Sequence, residues 1–330
     1  MTTRVGAFRS LVIRLIVSAS LIAAASVTMP SVGRAQAAPD QILVGASSDD
    51  IVRPLLYAVD AGLFQKAGLD VQLVKLANGA AVAAAVAGGS IQLGKGSALT
   101  PVQAYAKGLP FIVTANLADY SSDSPNIAML VQSTSPIHSA KDLVGKTIGM
   151  VGLNDSNTLA VYAWLEKSAV DLTSVKFIEL GNSAGAAALE ANRVDAMMFL
   201  DPALSAALAT GNFRVLSYPN DALGRHFSVG TMFGLTSWVN AHRDEVERFN
   251  RALSAAEAYV GAHENETKPL AAKFADIDLS QLQNVRPPTR TTGITTSDLQ
   301  IIIDAAAKYK FIAKDFSAND LICECAIRQK

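Results

Sequence analysis

The sequence predicts an α/β protein made of two units, each a mostly parallel sheet flanked by helices. Three observations carry this. From Gln41 onward short apolar runs alternate with segments of helical period, the pattern of parallel strands covered by helices. The alternation breaks once, at the polar stretch DYSSDSPN (119–126), and then restarts. Two apolar helices close the chain with no strands beside them in sequence, which places them back on the first unit and makes that unit discontinuous.

The elements follow in order. QILVGAS (41–47) is the first strand. Ile51, Leu55 and Val59 then recur every four residues, with Val52 and Leu56 beside them, which makes one helical face. In YAVDAGLFQKAGLDVQLVKL (57–76) that face runs into Gly62, a second glycine follows at Gly68, and alternating apolar residues begin at Val71: a helix, a tight corner and a strand. An Ala-rich helix, AAVAAAVAGG, comes next, so Asn78-Gly79 is not a hairpin turn. IQLGKGS is a strand, TPVQAYAKG a helix with Pro101 near its start and Gly108 past its end, and FIVTANLA a strand. After the break come IAMLVQ, SAKDLVG, KTIGMVG, a helix from about Asn157 to Ala169, SVKFIEL, AGAAALEANR, DAMMFL and DPALSAALAT. FRVLSY, a polar stretch at 218–228 and a strand GTMFGLTSWV (230–239) lead to a long helix with Val246, Phe249, Leu253, Ala256 and Val260 on one face. The last helix carries Leu299, Ile302, Ile303 and Ala306. Crossings between the units are expected near 122 and near 231, which divides the chain into 38–122, 123–231 and 232–330.

The first 37 residues stand apart. Arg4, Arg9 and Arg14 precede an apolar run from Leu15 to about Met29, and RAQA (34–37) offers small residues for cleavage, the order of a secretory signal. The run is about 15 residues long and is broken by Ser18, Ser20, Ser26 and Pro30, short of the roughly 20 that a membrane span needs. Cleavage after Ala37 is expected, leaving an exported, periplasmic, soluble chain with no Cys near its new end for a lipid anchor. Losing Arg4, Arg9, Arg14 and Arg34 and no acidic residue takes the formal charge from −1 to −5, which argues against nucleic-acid or anionic-membrane partners. The two cysteines, Cys323 and Cys325, are too close for an unstrained disulfide and have no histidine nearby for a zinc site, so the expectation is a frayed tail.

In open α/β sheets, ligands bind beyond the carboxyl ends of the strands, where helix N-termini point outward. There the chain places Ser47, Ser48, Asp49, Asp50 and Arg53, then Asn78 and Gly79, then Ser97 and Thr100, then Asn116. In the second unit it places Asn154, Asp155, Ser156, Asn157 and Thr158, then Asn182 and Ser183, then Asp201. Such a set of small hydrogen-bonding groups suits a clamp for a small polar ligand. Ser48, Asp49, Ser156 and Asp201 also stand where helix N-caps stand, and Gly79 where a turn needs glycine. Arg53 is open to two readings: an anion clamp, or an ion pair with Asp49 or Asp50. Catalytic signals are thin. His138, His226, His242 and His263 have no partner at metal-ligand spacing, and the glycines of GGSIQLGKGS flank a strand without opening a phosphate loop. No catalytic residue, metal or cofactor is expected.

The stretch YAVDAGLFQKAGLDVQLVKL, followed by NGAAVAAAVAGGSIQLGKGS, resembles the signature region of the nitrate/sulfonate/taurine-type substrate-binding proteins of ABC importers. The likeness continues through SPIHSAKDLVGKTIGMVG, ALEANRVDAMMFLDP and VNAHRDEVERFNRAL, over most of residues 40–260. The resemblance implies a type II periplasmic-binding-protein fold: two α/β lobes joined by two strands, a ligand in the cleft, and closure that presents the protein to a permease in the inner membrane. It also implies that Ser47 to Arg53, Ser97 to Thr100, Asn116 and Gly152 to Thr158 line the cleft. Many relatives carry an aromatic residue just before the Asp-Pro pair; here Leu200 stands there and Phe199 one position earlier, so the ligand class does not transfer. The CEC of the tail does not match the cysteine-rich motif of the family's thiamine-pyrimidine synthases. The expectation is a monomeric exported receptor for a small anionic or zwitterionic solute. The alternatives are an enzyme on the same fold and the receptor of an ion-driven transporter.

Overall fold

The computed structural model describes residues 40–181, 184–282 and 287–329; the leader at 1–37 and the candidates Asn182 and Ser183 lie outside the described residues. The strands are β1 (Asp40–Ala46), β2 (Leu69–Lys75), β3 (Leu93–Ser97), β4 (Phe111–Ser121), β5 (Ile127–Gln132), β6 (Thr147–Met150), β7 (Lys176–Glu179), β8 (Ala196–Leu200), β9 (Phe213–Ser217) and β10 (His226–Leu235). The helices are α1 (Arg53–Asp60), α2 (Leu63–Lys66), α3 (Gly79–Ala87), α4 (Leu99–Ala106), α5 (Ser156–Lys167), α6 (Gly185–Glu190), α7 (Ala203–Ala209), α8 (Thr236–Ala241), α9 (Arg243–Ala262), α10 (Glu264–Ala275) and α11 (Thr296–Lys308).

Among the described residues the strands form two five-stranded sheets, ordered β2-β1-β3-β10-β4 and β7-β6-β8-β5-β9. β1 pairs in parallel with β2 and β3, whereas β10 runs antiparallel to β3 and β4. In the second sheet β6 is parallel to β7 and β8, and β5 is antiparallel to β8 and β9. Each sheet therefore has one reversed strand, in the fourth place, and the two share a plan that no sequence repeat announces. This is the expected α/β architecture.

The corner at 57–76 forms because two glycines take left-handed conformations, Gly62 at φ 66° and Gly68 at φ 75°, where a β-carbon would be strained. Between them Phe64 is fully buried and stacks on Phe249 of α9, with ring centroids 4.7 Å apart. The first core joins Ile42, Val44 and Leu55 to Val246, Phe249 and Leu253 of α9 and to Ile302 and Ile303 of α11. The closing helices thus cover the first sheet. Leu159 of α5, a helix that follows a strand of the second sheet, is also buried in this core. Residues 39–330 form one compact unit.

Two expectations need correction. The strand expected at 230–239 begins earlier: His226 already pairs with Ser121, and Thr231 lies mid-strand opposite Gly96 and Asn116. TSWV opens α8 because the Thr236 amide turns to Pro110 O at 2.7 Å and leaves the ladder. The second connection between the sheets accordingly runs through 218–225, and the first through 122–126. Nor is the tail frayed. Cys323 and Cys325 are buried and disulfide-bonded. Strand β4 is a sheet edge with unpaired backbone groups, and the tail takes them up: Val113 N donates to Leu321 O and Cys323 N to Val113 O, both at 2.8 Å. Among the described residues no helix is long and apolar enough to cross a membrane.

Candidate functional site

The carboxyl ends of β1 and β3 lie side by side. Just past β1, Asp49 caps the turn before α1, accepting from Ile51 N at 3.0 Å, and Ser47 Oγ donates to its carboxylate at 3.2 Å. From β3, Lys95 reaches the same place. It is only 2% exposed, ion-pairs with Asp49 and donates to Ser47 Oγ at 3.3 Å. An ammonium has three donors; among the described residues Asp49 and Ser47 are its acceptors. Ser97, two residues on and so on the same side of the strand, continues the surface.

Facing Ser97 is the N-terminus of α5. Ser97 Oγ and Ser156 Oγ are 3.2 Å apart, and Ser156 N donates to Ser97 Oγ at 3.3 Å. Asp155 caps the helix through Thr158 N at 3.0 Å, and burial pushes its carboxyl up against hydrogen bonds from Thr158 and Asn157 that pull it down. A twelve-residue helix presents partial positive charge and outward amides at this end. A strand of the first sheet and a helix of the second thus meet at one polar point, with a buried ammonium beside it.

The other candidates scatter. Ser48 and Asn154 are exposed. Asn78 caps α3 through Ala81 N at 3.0 Å, and Gly79 lies against Thr100, whose hydroxyl would be 3.2 Å from an added β-carbon. Thr158 turns its hydroxyl back to Gly152 O at 2.8 Å, and Asn157 Oδ1 accepts from Asn220 Nδ2 at 3.3 Å. Asp201 accepts from Ser205 N at 2.9 Å, at the head of α7. Asn116 belongs to a different cluster: its Nδ2 donates to Asp119 at 2.7 Å, and its Oδ1 accepts from Ser228. Burial raises Asp119 to about 6, against the pull of Asn116 and His226. His226 stands 3.3 Å from Asp119 and 3.3 Å from Asp298.

Arg53 is fully buried and tied into an ion-pair network. It donates to Asp50 from Nε at 3.0 Å and from Nη2 at 2.6 Å, and from Nη1 to the backbone oxygen of Glu264 at 3.0 Å and to its carboxylate. Arg290 closes the ring through Asp50 and through Glu264 at 3.2 Å. Of the two readings the sequence left open, the geometry displays ion pairing, with Asp50 and Glu264 as partners and Asp49 turned to Lys95 instead. Arg53→Ala is therefore expected to lower stability by about 3 kcal/mol, because Asp50 and Glu264 are left to share the single guanidinium of Arg290. Urea denaturation measures this, and a change within 0.5 kcal/mol, roughly the range of ordinary surface substitutions, would contradict it.

Lys95 is the site residue that sequence reasoning passed over. The glycines of GGSIQLGKGS draw the reading of that stretch, and the lysine's acceptors, Ser47 and Asp49, lie 48 and 46 positions away in sequence.

A family model described as NMT1/THI5 like matches residues 52–267. A Bacillus subtilis (strain 168) protein named for binding aliphatic sulfonates is 25% identical over 285 residues, 84% of this chain and 84% of that protein. The crystal structure of the periplasmic aliphatic sulphonate binding protein SsuA from Escherichia coli superposes with a TM-score of 0.72 at 20% identity, covering 86% of this chain and 97% of that one. The alkanesulfonate-binding protein SsuA from Xanthomonas axonopodis pv. citri bound to MOPS gives 0.72 at 20% identity over 87% and 99% of the two chains. At these identities the structural matches speak to the fold.

Proposed function

Because the chain belongs to the NMT1/THI5-like family, we propose that it is an exported receptor that captures a small organic anion between two lobes and hands it to an ABC permease. The first lobe is built on β1 to β4 and β10, the second on β5 to β9, and the joints are 122–126 and 218–225. The observation that carries the reading is the meeting of Ser97 with Ser156 beside Lys95.

The acid group of the ligand sits between them. It takes the third donor of Lys95 and the hydroxyl of Ser97 from one lobe, and Ser156 with the first amides of α5 from the other. Closing excludes water, and in that setting each charge-assisted hydrogen bond contributes about 1.5–3 kcal/mol. Neither lobe alone supplies the set, so binding and closure are one event. The Asp49 side chain is 42% exposed and offers its free edge to an ammonium group, which admits zwitterionic ligands. The groups that would face the acid are hydrogen-bond donors, Lys95, Ser97, Ser156 and the first amides of α5, which suits binding, the role that the relatives' names give them. Those relatives' names favour a sulfonate as the acid group.

The test is a thermal shift of the mature chain against alkanesulfonates, MOPS, nitrate and amino acids. A ligand at 100 times its Kd stabilises by about 2.7 kcal/mol, so a saturable rise in Tm is expected with at least one organic anion. A flat response to every anion would overturn the proposal.

A further inference from the structure

Helix α9 holds a carboxyl group that the interlobe site does not use. Glu257 is 5% exposed, and both of its side-chain oxygens are buried without a hydrogen-bond partner. It lines a cavity of about 440 Å³ together with Ser254, Gly261, Glu264, Arg290 and Thr291. The charges around it are already matched: Arg53 and Arg290 each bind Asp50 and Glu264, so two guanidinium groups face two carboxylates. Among the described residues Glu257 is a third carboxylate with no hydrogen-bonded cation of its own. Burial pushes it up to about 8, and at neutral pH it keeps its proton. The proton removes the charge but leaves two oxygens unpartnered, an arrangement that costs free energy in a buried setting.

We propose that this cavity is a second binding site, for a primary alkylammonium ion. One positive charge with three N–H donors matches the one negative charge that Glu257 carries once its proton leaves and the two unpartnered oxygens. Ala258, Pro287 and Pro288 give the cavity an apolar wall for the alkyl chain. A bare metal ion fits less well, because hard cations gather six or more oxygens and a single carboxylate here is unpartnered. The site shares no residue with the Lys95, Ser97 and Ser156 group. In binding, the neutral Glu257 acid gives its proton to solvent and the carboxylate so formed pairs with the ammonium: one cation enters and one proton leaves. Affinity therefore rises about tenfold per pH unit while the acid form predominates.

Titration calorimetry of the mature chain with n-butylammonium chloride, in two amine-free and sulfonate-free buffers of different ionisation enthalpy, tests this. The expected result is saturable binding with about one proton released per ion, tightening about tenfold from pH 6.0 to pH 7.0, and lost in Glu257→Gln. Absence of saturable heat, binding without proton release, or equal binding of n-butanol would overturn the proposal. Should Glu257→Gln fail to fold by circular dichroism, proton release by the parent chain decides the matter alone.

Discussion

Lys95→Met is expected to weaken binding of an alkanesulfonate by about 100-fold, the loss of roughly 2.7 kcal/mol of charge-assisted hydrogen bonding, while the chain stays folded. Methionine fills a buried strand position of similar length without a charge. The partner left behind, Asp49, is 42% exposed and is free to rehydrate, so the cost to stability is small. Ser97→Ala should cut less, since it removes a neutral hydroxyl that also accepts from Ser156 N. Calorimetric titration beside urea denataration of the same samples separates binding from folding. An affinity within twofold of the parent's would remove Lys95 from the site.

The second large effect is a pH dependence. Burial raises the carboxyl of Glu257 from 4.5 to about 8 in the folded chain. Between these values the folded state holds a proton that the unfolded state has released, so its contribution is fully present below 4.5 and is lost as pH rises toward 8. The whole span amounts to something on the order of 5 kcal/mol. Glu257→Gln keeps the shape of the protonated group and removes the titration. The stability of the variant relative to the parent should therefore grow by about 3 kcal/mol between pH 5.5 and pH 8.5. Other groups titrate alike in both chains and cancel. Equal differences at the two pH values would mean that Glu257 carries no buried proton.

Much of the fold was legible because local periodicity reports burial: the glycine-bounded corner at 57–76 stands in the structure as read, and of the recurring Ile51, Leu55 and Val59 the last two lie on α1 while Ile51 falls in the 3-10 turn before it. What escaped depends on partners far along the chain. The start of β10 is polar and reads as a loop, yet it pairs with β4 a hundred residues earlier. The tail is ordered by the edge of that same strand, and α10, with Pro269 inside it, shows no clear apolar face to read. In the site, Ser97 and Ser156 were named from strand ends alone and lie together, whereas Asn116 and Arg53 were named by the same rule and are held by other groups. Arg53 could not be settled from sequence because Glu264 is 211 positions away. Lys95 was missed for a different reason: a lysine in an apolar strand signals a buried charge only once its acceptors, Ser47 and Asp49, are seen beside it.

The most direct measurement is a crystal structure of the mature chain grown with a short alkanesulfonate. The expected result is a sulfonate lying between the sheets, with oxygens within about 3.2 Å of both Lys95 Nζ and the first backbone amides of α5. A sulfonate held by residues of one sheet alone, or bound away from the Ser97 and Ser156 junction, would contradict capture between two closing lobes.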